Sequence, residues 1–176
     1  MASELDKINS RLEDLKNKIV QAGILGGKYE DGTNIAYVGA IQEYGSPEAN
    51  IPPRPFMRST SSDRRKEWTE TMAKGIAAVA AGQITAELLL EQIGSLMAAD
   101  IQKTISNIQS PPLSPITVML RGMRSHDPNL KVTGKTVGEA AQRVADGETD
   151  YGASTKPLVD IGILLKSISY KVGGNT

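Results

Sequence analysis

The sequence lacks cysteine and is poor in aromatic residues. Its 176 residues include no cysteine, which excludes disulfides, thiolate nucleophiles and zinc sites built on cysteine. The aromatic residues are one tryptophan, one phenylalanine and five tyrosines. A folded core must therefore be built mainly from isoleucine, leucine, valine, alanine and methionine.

The sequence also lacks an excess of charge and a long apolar run. Twenty basic residues balance twenty acidic ones, which argues against a dedicated nucleic-acid binder but leaves room for one basic patch. No window approaches the roughly 18 apolar residues of a membrane span. The first residues are charged and do not resemble a signal peptide. We expect a protein made and kept in the cytosol, or assembled there into something larger.

Residues 1–20 are predicted to form an amphipathic helix. Ser3 can cap its first turn, with Asp6 at the third helical position. Apolar residues recur at spacings of three and four: Leu5, Ile8, Leu12, Leu15 and Ile19. Two interpretations stay open, because this stripe can lie on the body of its own domain or on a neighbouring copy.

The next part of the chain is predicted to contain the core helices. A strand is expected within 19–30, and 35–44 is either a short helix or a strand. One helix is expected from Ser62 and Asp63 to Ala81, and another from Thr85. The second has a broad apolar face and should form the centre of the core: Leu89, Leu90, Ile93, Leu96, Met97, Ile101 and Ile105.

The last third is predicted to alternate helices and loops. Ser114 followed by Pro115 is a strong helix start. Residues 124–157 read as a loop with an inserted helix, which a capping box of Thr136 and Glu139 would begin. The alternation after Leu164 predicts a closing strand. The expected fold is one α+β domain over 1–176, with a small antiparallel sheet packed against long helices.

No set of residues predicts a catalytic, cofactor or metal site. His126 beside Asp127 suggests a hydrolase only weakly, because adjacent residues rarely orient one another as a triad does. The TGKT run at 133–136 lacks the first glycine of a phosphate-binding loop, since position 129 is asparagine.

Clusters of charged residues are equally weak evidence for a metal site or a nucleic-acid site. The acidic turn of Asp146, Glu148 and Asp150 lacks the pattern of a calcium loop. The best basic cluster has Trp68 as its one nearby aromatic residue, and it comprises Arg54, Arg58, Arg64, Arg65 and Lys66. A nucleic-acid-binding module built on this cluster is a minor alternative.

The most particular stretch is residues 43–58, EYGSPEANIPPRPFMR. Its prolines fix φ and remove backbone donors, which predicts a proline-rich extended arm over 46–57. The run resembles a signature of the tail-completion and virion-morphogenesis proteins of tailed bacteriophages, which join heads to tails. The matching residues are Glu43, Tyr44, Gly45, Ile51, Pro52, Arg54, Pro55 and Phe56.

Two further patches carry the same resemblance. The C-terminal run KPLVDIGILLKSISYKV matches at Pro157, Leu158, Asp160, Gly162, Leu164, Ser167 and Ile168. Between the two, PPLSPITV matches at Pro112, Leu113, Ser114 and Thr117. Ile161, where a small polar residue is expected, and the helical stretch 136–147 depart from the pattern.

The resemblance implies a structural virion protein of the neck or tail, and not an enzyme. It implies a homo-oligomeric ring, possibly a hexamer, whose partners are other neck and tail proteins. DNA would touch it at most in transit. The alternative within this class is a tail terminator, the ring that caps the tail tube.

The resemblance and the residue chemistry together suggest roles within the proline-rich stretch. Gly45 would release the chain from a helix, and Phe56 would anchor the arm to a core. Arg54 is expected to pair with a carboxylate, for which Glu43 is the candidate. Two interpretations stay open: the stretch packs on its own domain, or it makes a direct subunit contact.

Overall fold

A two-stranded antiparallel sheet packs against helices, which confirms the predicted α+β fold. The computed structural model describes residues 3–149, 152–158 and 162–174. The elements are α1 (Glu4–Lys16), β1 (Lys18–Ile24), α2 (Ile35–Tyr44), a 3-10 turn (Pro47–Ala49), α3 (Phe56–Ala80), α4 (Ala86–Asn107), α5 (Pro115–His126), α6 (Gly134–Ala145), α7 (Ile163–Ser167) and β2 (Ile168–Gly174).

Most helices begin at a local hydroxyl cap. Ser3 and Asp6 form the expected capping box of α1, Thr85 caps α4 and Ser114 caps α5 ahead of Pro115. Each hydroxyl accepts a backbone N–H that has no partner within its helix. The sequence signals at these three starts are confirmed.

Helix α6 begins one turn earlier than expected. Its N-cap is Thr133, and Thr136 is the third helical residue rather than the cap. The Thr133 hydroxyl accepts the Thr136 N–H, and the Thr136 hydroxyl accepts the Thr133 N–H at 2.7 Å. The predicted box of Thr136 with Glu139 is therefore wrong, because two threonines spaced by three residues close the box between themselves.

Helix α1 packs on its own chain. The Arg11 guanidinium donates to the carbonyl of Ala80 at 2.9 Å, and Leu15 packs against the apolar cluster between α3 and α4. The predicted stripe ends at Leu15, because Ile19 belongs to β1. No residue of α1 is buried and Leu5 is exposed, so this packing covers the stripe only in part.

The sheet consists of β1 and β2, paired antiparallel from Lys18 with Gly174 to Ile24 with Ile168. It packs on α4, where Gly94 permits a close approach. A Cβ atom at Gly94 would lie 2.4 Å from the Tyr170 ring and 2.9 Å from a methyl of Val20. The absent side chain thus lets the sheet rest directly on the helix.

The buried core surrounds α4, which confirms that helix as its centre. One cluster lies between α4, the sheet and α2, and contains Ile35, Phe56, Ala98, Ile101, Ile105, Leu158, Leu164 and Ile168. A second lies at the turn between α3 and α4, and contains Val79, Ala86, Leu89 and Ile93. Among the described residues, every helix is too short or too polar to traverse a lipid bilayer.

One buried carboxylate joins α3 to α4. Asp100 accepts hydrogen bonds from Arg64 Nη2 at 3.0 Å and from Trp68 Nε1 at 2.8 Å. This contact raises the pKa of the Arg64 guanidinium above its ordinary value, because Asp100 stabilises the charged form. Arg64 of the predicted basic cluster and the nearby Trp68 therefore hold α3 against α4.

Candidate functional site at the start of α3

The site begins at Gly45, which ends α2. Its N–H donates to the carbonyl of Ile41 at 2.7 Å, and its backbone has φ 78° and ψ 175°. That region of backbone conformation is essentially restricted to glycine. A Cβ atom there would also lie 2.8 Å from the Ile51 carbonyl oxygen and 2.9 Å from the Pro53 nitrogen. The glycine is required at this position for both reasons.

The predicted extended arm is partly a closed turn. Ser46 and Ile51 exchange two backbone hydrogen bonds, of 2.8 and 2.9 Å, around the 3-10 turn Pro47–Ala49. Proline favours the start of a helical turn, and Asn50 takes the left-handed conformation that asparagine tolerates. After Ile51 closes this turn, residues 52–55 connect it to α3, which begins at Phe56.

Glu43 caps α3 from a distance. Its side chain is buried, with 4% of the residue exposed, and accepts the N–H of Met57 at 2.8 Å and of Arg58 at 3.0 Å. The N-cap position of α3 is Pro55, which has no side-chain acceptor. A carboxylate from α2 therefore does what a local serine does elsewhere, and its charge is favoured by the helix dipole.

Arg58 completes this contact and reaches the surface. Its Nε donates to Glu43 Oε1 at 2.9 Å, and its Nη2 donates to the Glu43 carbonyl oxygen at 2.9 Å. The guanidinium carbon lies 4.6 Å from the centroid of the Tyr44 ring, within the range of a cation–π contact. Glu43 thus holds Arg58 in one orientation over an exposed tyrosine.

The predicted pair of Arg54 with Glu43 is wrong. Arg54 is 3% exposed and donates to the carbonyls of Pro111 at 2.8 Å and Pro112 at 2.9 Å, and to Gln42 Oε1 at 3.2 Å. The carboxylate it was expected to bind is occupied by Arg58 and the α3 backbone. The planar guanidinium suits several diverging acceptors. Burial lowers its pKa from the ordinary value, as does the charge of Arg121 to a lesser degree.

Arg54 consequently joins two proline-containing segments that are distant in the chain. Its own N–H donates to the Gln42 carbonyl at 2.7 Å, which fixes the backbone of the arm to α2. Its side chain fixes the same arm to residues 111 and 112. Both the proline-rich stretch and the Pro-Leu-Ser patch therefore meet at one buried guanidinium.

The remaining predicted residues take structural positions. Phe56 is 1% exposed and belongs to the same core cluster as Leu158, Leu164 and Ile168. Gly162 precedes α7 with φ 70°, a conformation suited to glycine. Pro52 is half-buried and Pro55 is exposed. Asp160 and Ile161 lie outside the described residues.

Sequence reasoning missed Arg58 as the partner of Glu43, and Gln42 as an acceptor for Arg54. A weak signal existed, since Met57 and Arg58 are the second and third residues of a helix that lacks a local cap. Their N–H groups then need an acceptor from outside the helix, and a distant carboxylate can provide it. No sequence signal points to the Pro111 and Pro112 carbonyls, because every residue has such a group.

His126 and Asp127, which weakly suggest a hydrolase, do not form a catalytic pair. His126 ends α5 instead of lying in a loop, and its Nδ1 is 2.9 Å from the Gly122 carbonyl. Asp127 instead accepts the N–H of Asn129 at 3.0 Å. The two side chains thus have different partners, and neither contact resembles a nucleophile with its base.

Asp146 and Glu148 of the acidic turn also form contacts with side chains of α6. Asp146 accepts from Gln142 at 2.9 Å, and Glu148 forms an ion pair with Arg143 that lowers the pKa of Glu148. Asp150 lies outside the described residues. Within the part of the chain that the structure describes, no group of three His, Asp or Glu side chains could hold a metal ion.

Comparisons of this chain with protein-family models, with curated proteins and with solved structures find no match. Function is therefore inferred from the residues and contacts themselves. Three of the basic residues in the predicted cluster, Arg54, Arg58 and Arg64, are engaged by groups of their own chain. Arg54 is buried and so cannot reach a nucleic-acid backbone.

Proposed function

We propose that this chain is a structural virion protein of a tailed bacteriophage, a tail-completion or neck component that acts in head–tail joining. It works by forming a homo-oligomeric ring, possibly a hexamer, between other neck and tail proteins. It is assembled in the bacterial cytoplasm and ends in the virion. Its role is architectural, without catalysis, and DNA passes it only in transit.

The observation that carries this proposal is that the three patches of the resemblance form one structural unit. Arg54 of the first patch binds the carbonyl of Pro112 in the second. Phe56 of the first patch shares a core cluster with Leu158, Leu164 and Ile168 of the third. A shared architecture requires the three patches to contact one another, and these contacts meet that requirement.

Burial divides the residues of the signature into two groups. Glu43, Arg54 and Phe56 are buried, which supports a role in defining the fold. Tyr44 is 66% exposed and stacks under Arg58, which supports a role at the surface. The two interpretations of the proline-rich stretch therefore apply to different residues within it.

The test is electron microscopy of lysates from a phage or prophage whose copy of this gene is deleted. Separate filled heads and finished tails would support head–tail joining. Overlong tails would assign the tail-terminator role instead, because unchecked tube growth is the expected defect there. Intact, infectious virions would refute a structural role.

Complementation makes this test specific. A plasmid with the wild-type gene should restore joined particles, and Lys135→Ala, at an exposed side chain of α6, should do the same. Phe56→Ala removes the buried ring and should fail to restore them. A Phe56→Ala protein that melts normally and rescues fully would contradict the architectural role of the signature.

A further inference from the structure

The outer edge of β2 is open. Among the described residues, β2 pairs only with β1, from Ile168 to Gly174. In an antiparallel pair, alternate residues direct their N–H and C=O groups away from the partner strand. In the part of the chain that the structure describes, no backbone hydrogen bond outside this pairing includes a residue from Ser169 to Gly174. Backbone donors and acceptors therefore remain for a further strand.

A groove lies beside this edge. It has a volume of about 330 Å³ and lies between β2 and the adjacent side of α4. Ser95, Ala98 and Ala99 of α4 line it together with Ser169 and Tyr170 of β2. These α4 side chains are small, so a strand placed about 4.8 Å from β2 has space above the helix.

The two ends of the edge differ. At the first residue of β2, the Gln102 Nε2 donates to the carbonyl of Ile168 at 3.1 Å. At the other end Gly173 and Gly174 are exposed and have no side chain to obstruct an approach. The edge is thus occupied at its start and open along residues 169–174.

An exposed lysine lies on each side of this edge. The Tyr170 ring packs on Gly94 of α4, so the side chain of the next residue, Lys171, lies on the opposite face of the sheet, where it is exposed. Lys103 is exposed on α4, one helical turn after Ala99 of the groove. An added strand would therefore lie between two ammonium groups.

The unpaired charge at this edge is positive. Neither Lys103 nor Lys171 forms an ion pair with any residue that the structure describes. The carboxylate that contacts β2 is that of Glu91, and it accepts a hydrogen bond from the Tyr170 hydroxyl. Two ammonium groups without a counter-charge favour carboxylates on an incoming segment.

The same lysines disfavour pairing between two copies of this chain. Lysine on an edge strand is a common means of preventing association of identical edges. Pairing of β2 with β2 would bring two Lys171 side chains together. The strand β1 offers no carboxylate either, since Lys18 is its one charged residue. The segment that suits this edge therefore belongs to a different, acidic chain.

We propose that the outer edge of β2 binds an extended acidic segment of a neighbouring virion protein, which joins the sheet as a third strand. Main-chain hydrogen bonds to residues 169–174 hold the segment, and its carboxylates bind Lys171 on the outer face and Lys103 beside the groove. This inference rests on the proposed function and specifies the chemistry of one neck or tail partner.

The first experiment uses synthetic peptides and the purified full chain. The probe is a fluorescent peptide with the length of β2, seven residues, in which glutamate alternates with valine. One comparison peptide has lysine in place of glutamate. Another keeps the glutamates but has methyl groups on alternate backbone nitrogens, which removes the N–H donors of one edge. Fluorescence anisotropy measures the binding of each.

The glutamate peptide should bind about tenfold more tightly than either comparison peptide. Equal binding of the methylated peptide would overturn the proposal, because attraction between charges alone would then explain the affinity. Absence of binding by the glutamate peptide would overturn it as well.

Charge reversal tests the two lysines. Lys103→Glu and Lys171→Glu, made together, should reverse the preference so that the lysine peptide binds more tightly. The matched control is Lys74→Glu with Lys131→Glu, two exposed lysines away from the edge, which should keep the preference for glutamate. An unchanged preference in the edge variant would refute the assigned lysines. Thermal unfolding verifies the fold, which these exposed substitutions should leave unchanged.

Carbodiimide treatment of joined particles identifies the partner. This reagent takes up one water as it joins a lysine amine to an adjacent carboxylate in an amide bond. Mass spectrometry should find Lys171 or Lys103 linked to an aspartate or glutamate of another virion protein. Links from these lysines only to carboxylates of another copy of this chain would overturn the assigned partner.

Failure of this inference and failure of the proposed function give different results. Deletion lysates with separated heads and tails, together with no peptide selectivity, would refute only the added strand. Intact virions from the deletion phage would refute the phage role, whatever the peptides show.

Discussion

Helices α1 and α3 begin in different ways. In α1 the cap and its reciprocal partner, Ser3 and Asp6, lie within one turn of sequence. In α3 the cap position is Pro55, and the acceptor of the first N–H groups is Glu43, which belongs to another helix. The cap of α1 is encoded in the adjacent sequence, whereas the cap of α3 forms only when α2 packs against α3.

This difference means that the α2–α3 junction depends on polar contacts between distant residues. A lost local cap leaves one turn of one helix frayed. A lost contact at the junction instead leaves buried polar groups without partners and frees the arm between two helices. Substitutions at the junction should therefore cost more stability than substitutions at local caps.

The largest loss is expected from Arg54→Met. The change leaves the Pro111, Pro112 and Gln42 oxygens without their donor. A hydrogen bond to a charged group contributes about 1.5–3 kcal/mol, and the partial exposure of these acceptors discounts the sum, so unfolding should become easier by roughly 3–6 kcal/mol. Urea denaturation measures this. Arg65→Met, at an exposed arginine of α3, is the control and should change little. Equal midpoints for the two variants would refute the anchoring role of Arg54.

The next effect is expected from Gly45→Ala. The new Cβ would meet the Ile51 carbonyl oxygen at 2.8 Å in a conformation that only glycine adopts readily, which should cost about 2–4 kcal/mol. The control is Gly138→Ala in α6, where a Cβ atom has open space. That change should stabilise the chain by about 0.5–1 kcal/mol. Opposite signs in thermal melting are the decisive result.

Glu43→Gln isolates the charge of the distant cap. The amide retains one oxygen, but it presents an NH₂ group to the N–H groups of α3 or to Arg58. We expect a loss of about 1–3 kcal/mol. Glu48→Gln, on the exposed 3-10 turn, is the matched control and should be neutral. A Glu43→Gln variant with unchanged stability would mean that the cap depends on the shape and burial of the side chain and not on its charge.

Ser114→Ala measures a local cap for comparison. The Ser114 hydroxyl accepts the Thr117 N–H at 3.2 Å, and its loss should cost about 1 kcal/mol, less than either change at Glu43 or Arg54. Ser125→Ala, in the last turn of the same helix, serves as control. A cost at Ser114 that exceeds the cost at Glu43 would reverse the comparison drawn above.

The smallest effect is a pH dependence at α1. Hydrogen bonds from Ser3 lower the pKa of Asp6 below its ordinary 3.8. A lowered folded pKa stabilises the protein above the unfolded value, and this contribution disappears as the pH falls through the folded value. The melting-point gap between wild type and Asp6→Asn should thus close as the pH falls below 3.8. A gap that does not shrink at all as the pH falls below 3.8 would contradict the linkage.

These comparisons explain which features could be predicted from sequence. The starts of α1, α4 and α5, the antiparallel strand at the end and the burial of Phe56 follow from local pattern or from the scarcity of aromatics. The start of α3 was expected at Ser62 and Asp63, since those residues look like a local cap, but the helix begins at Phe56. Glu43 supplies the hydrogen-bond acceptor for the first N–H groups of α3, which the local sequence lacks.

The arginine partners were harder to predict for the same reason. The pairing of Arg54 with Glu43 was predicted because a guanidinium can bind a carboxylate through two parallel hydrogen bonds. The structure instead satisfies Arg54 with neutral carbonyls from residues near 111, and gives the carboxylate to Arg58. Backbone carbonyls carry no residue identity, so such a contact leaves no trace in composition or spacing.

The pairing of β1 with β2 also constrains the order of events during synthesis. Residues 168–174 leave the ribosome roughly 7–30 s after residues 18–24, at about 5–20 residues per second. In the later part of that interval α3 and α4 are complete and can associate, while β1 has no partner strand and one face of α4 has no cover. The nascent chain therefore exposes an unpaired strand beside an apolar helix face until its last residues are made, because the sheet joins two distant segments.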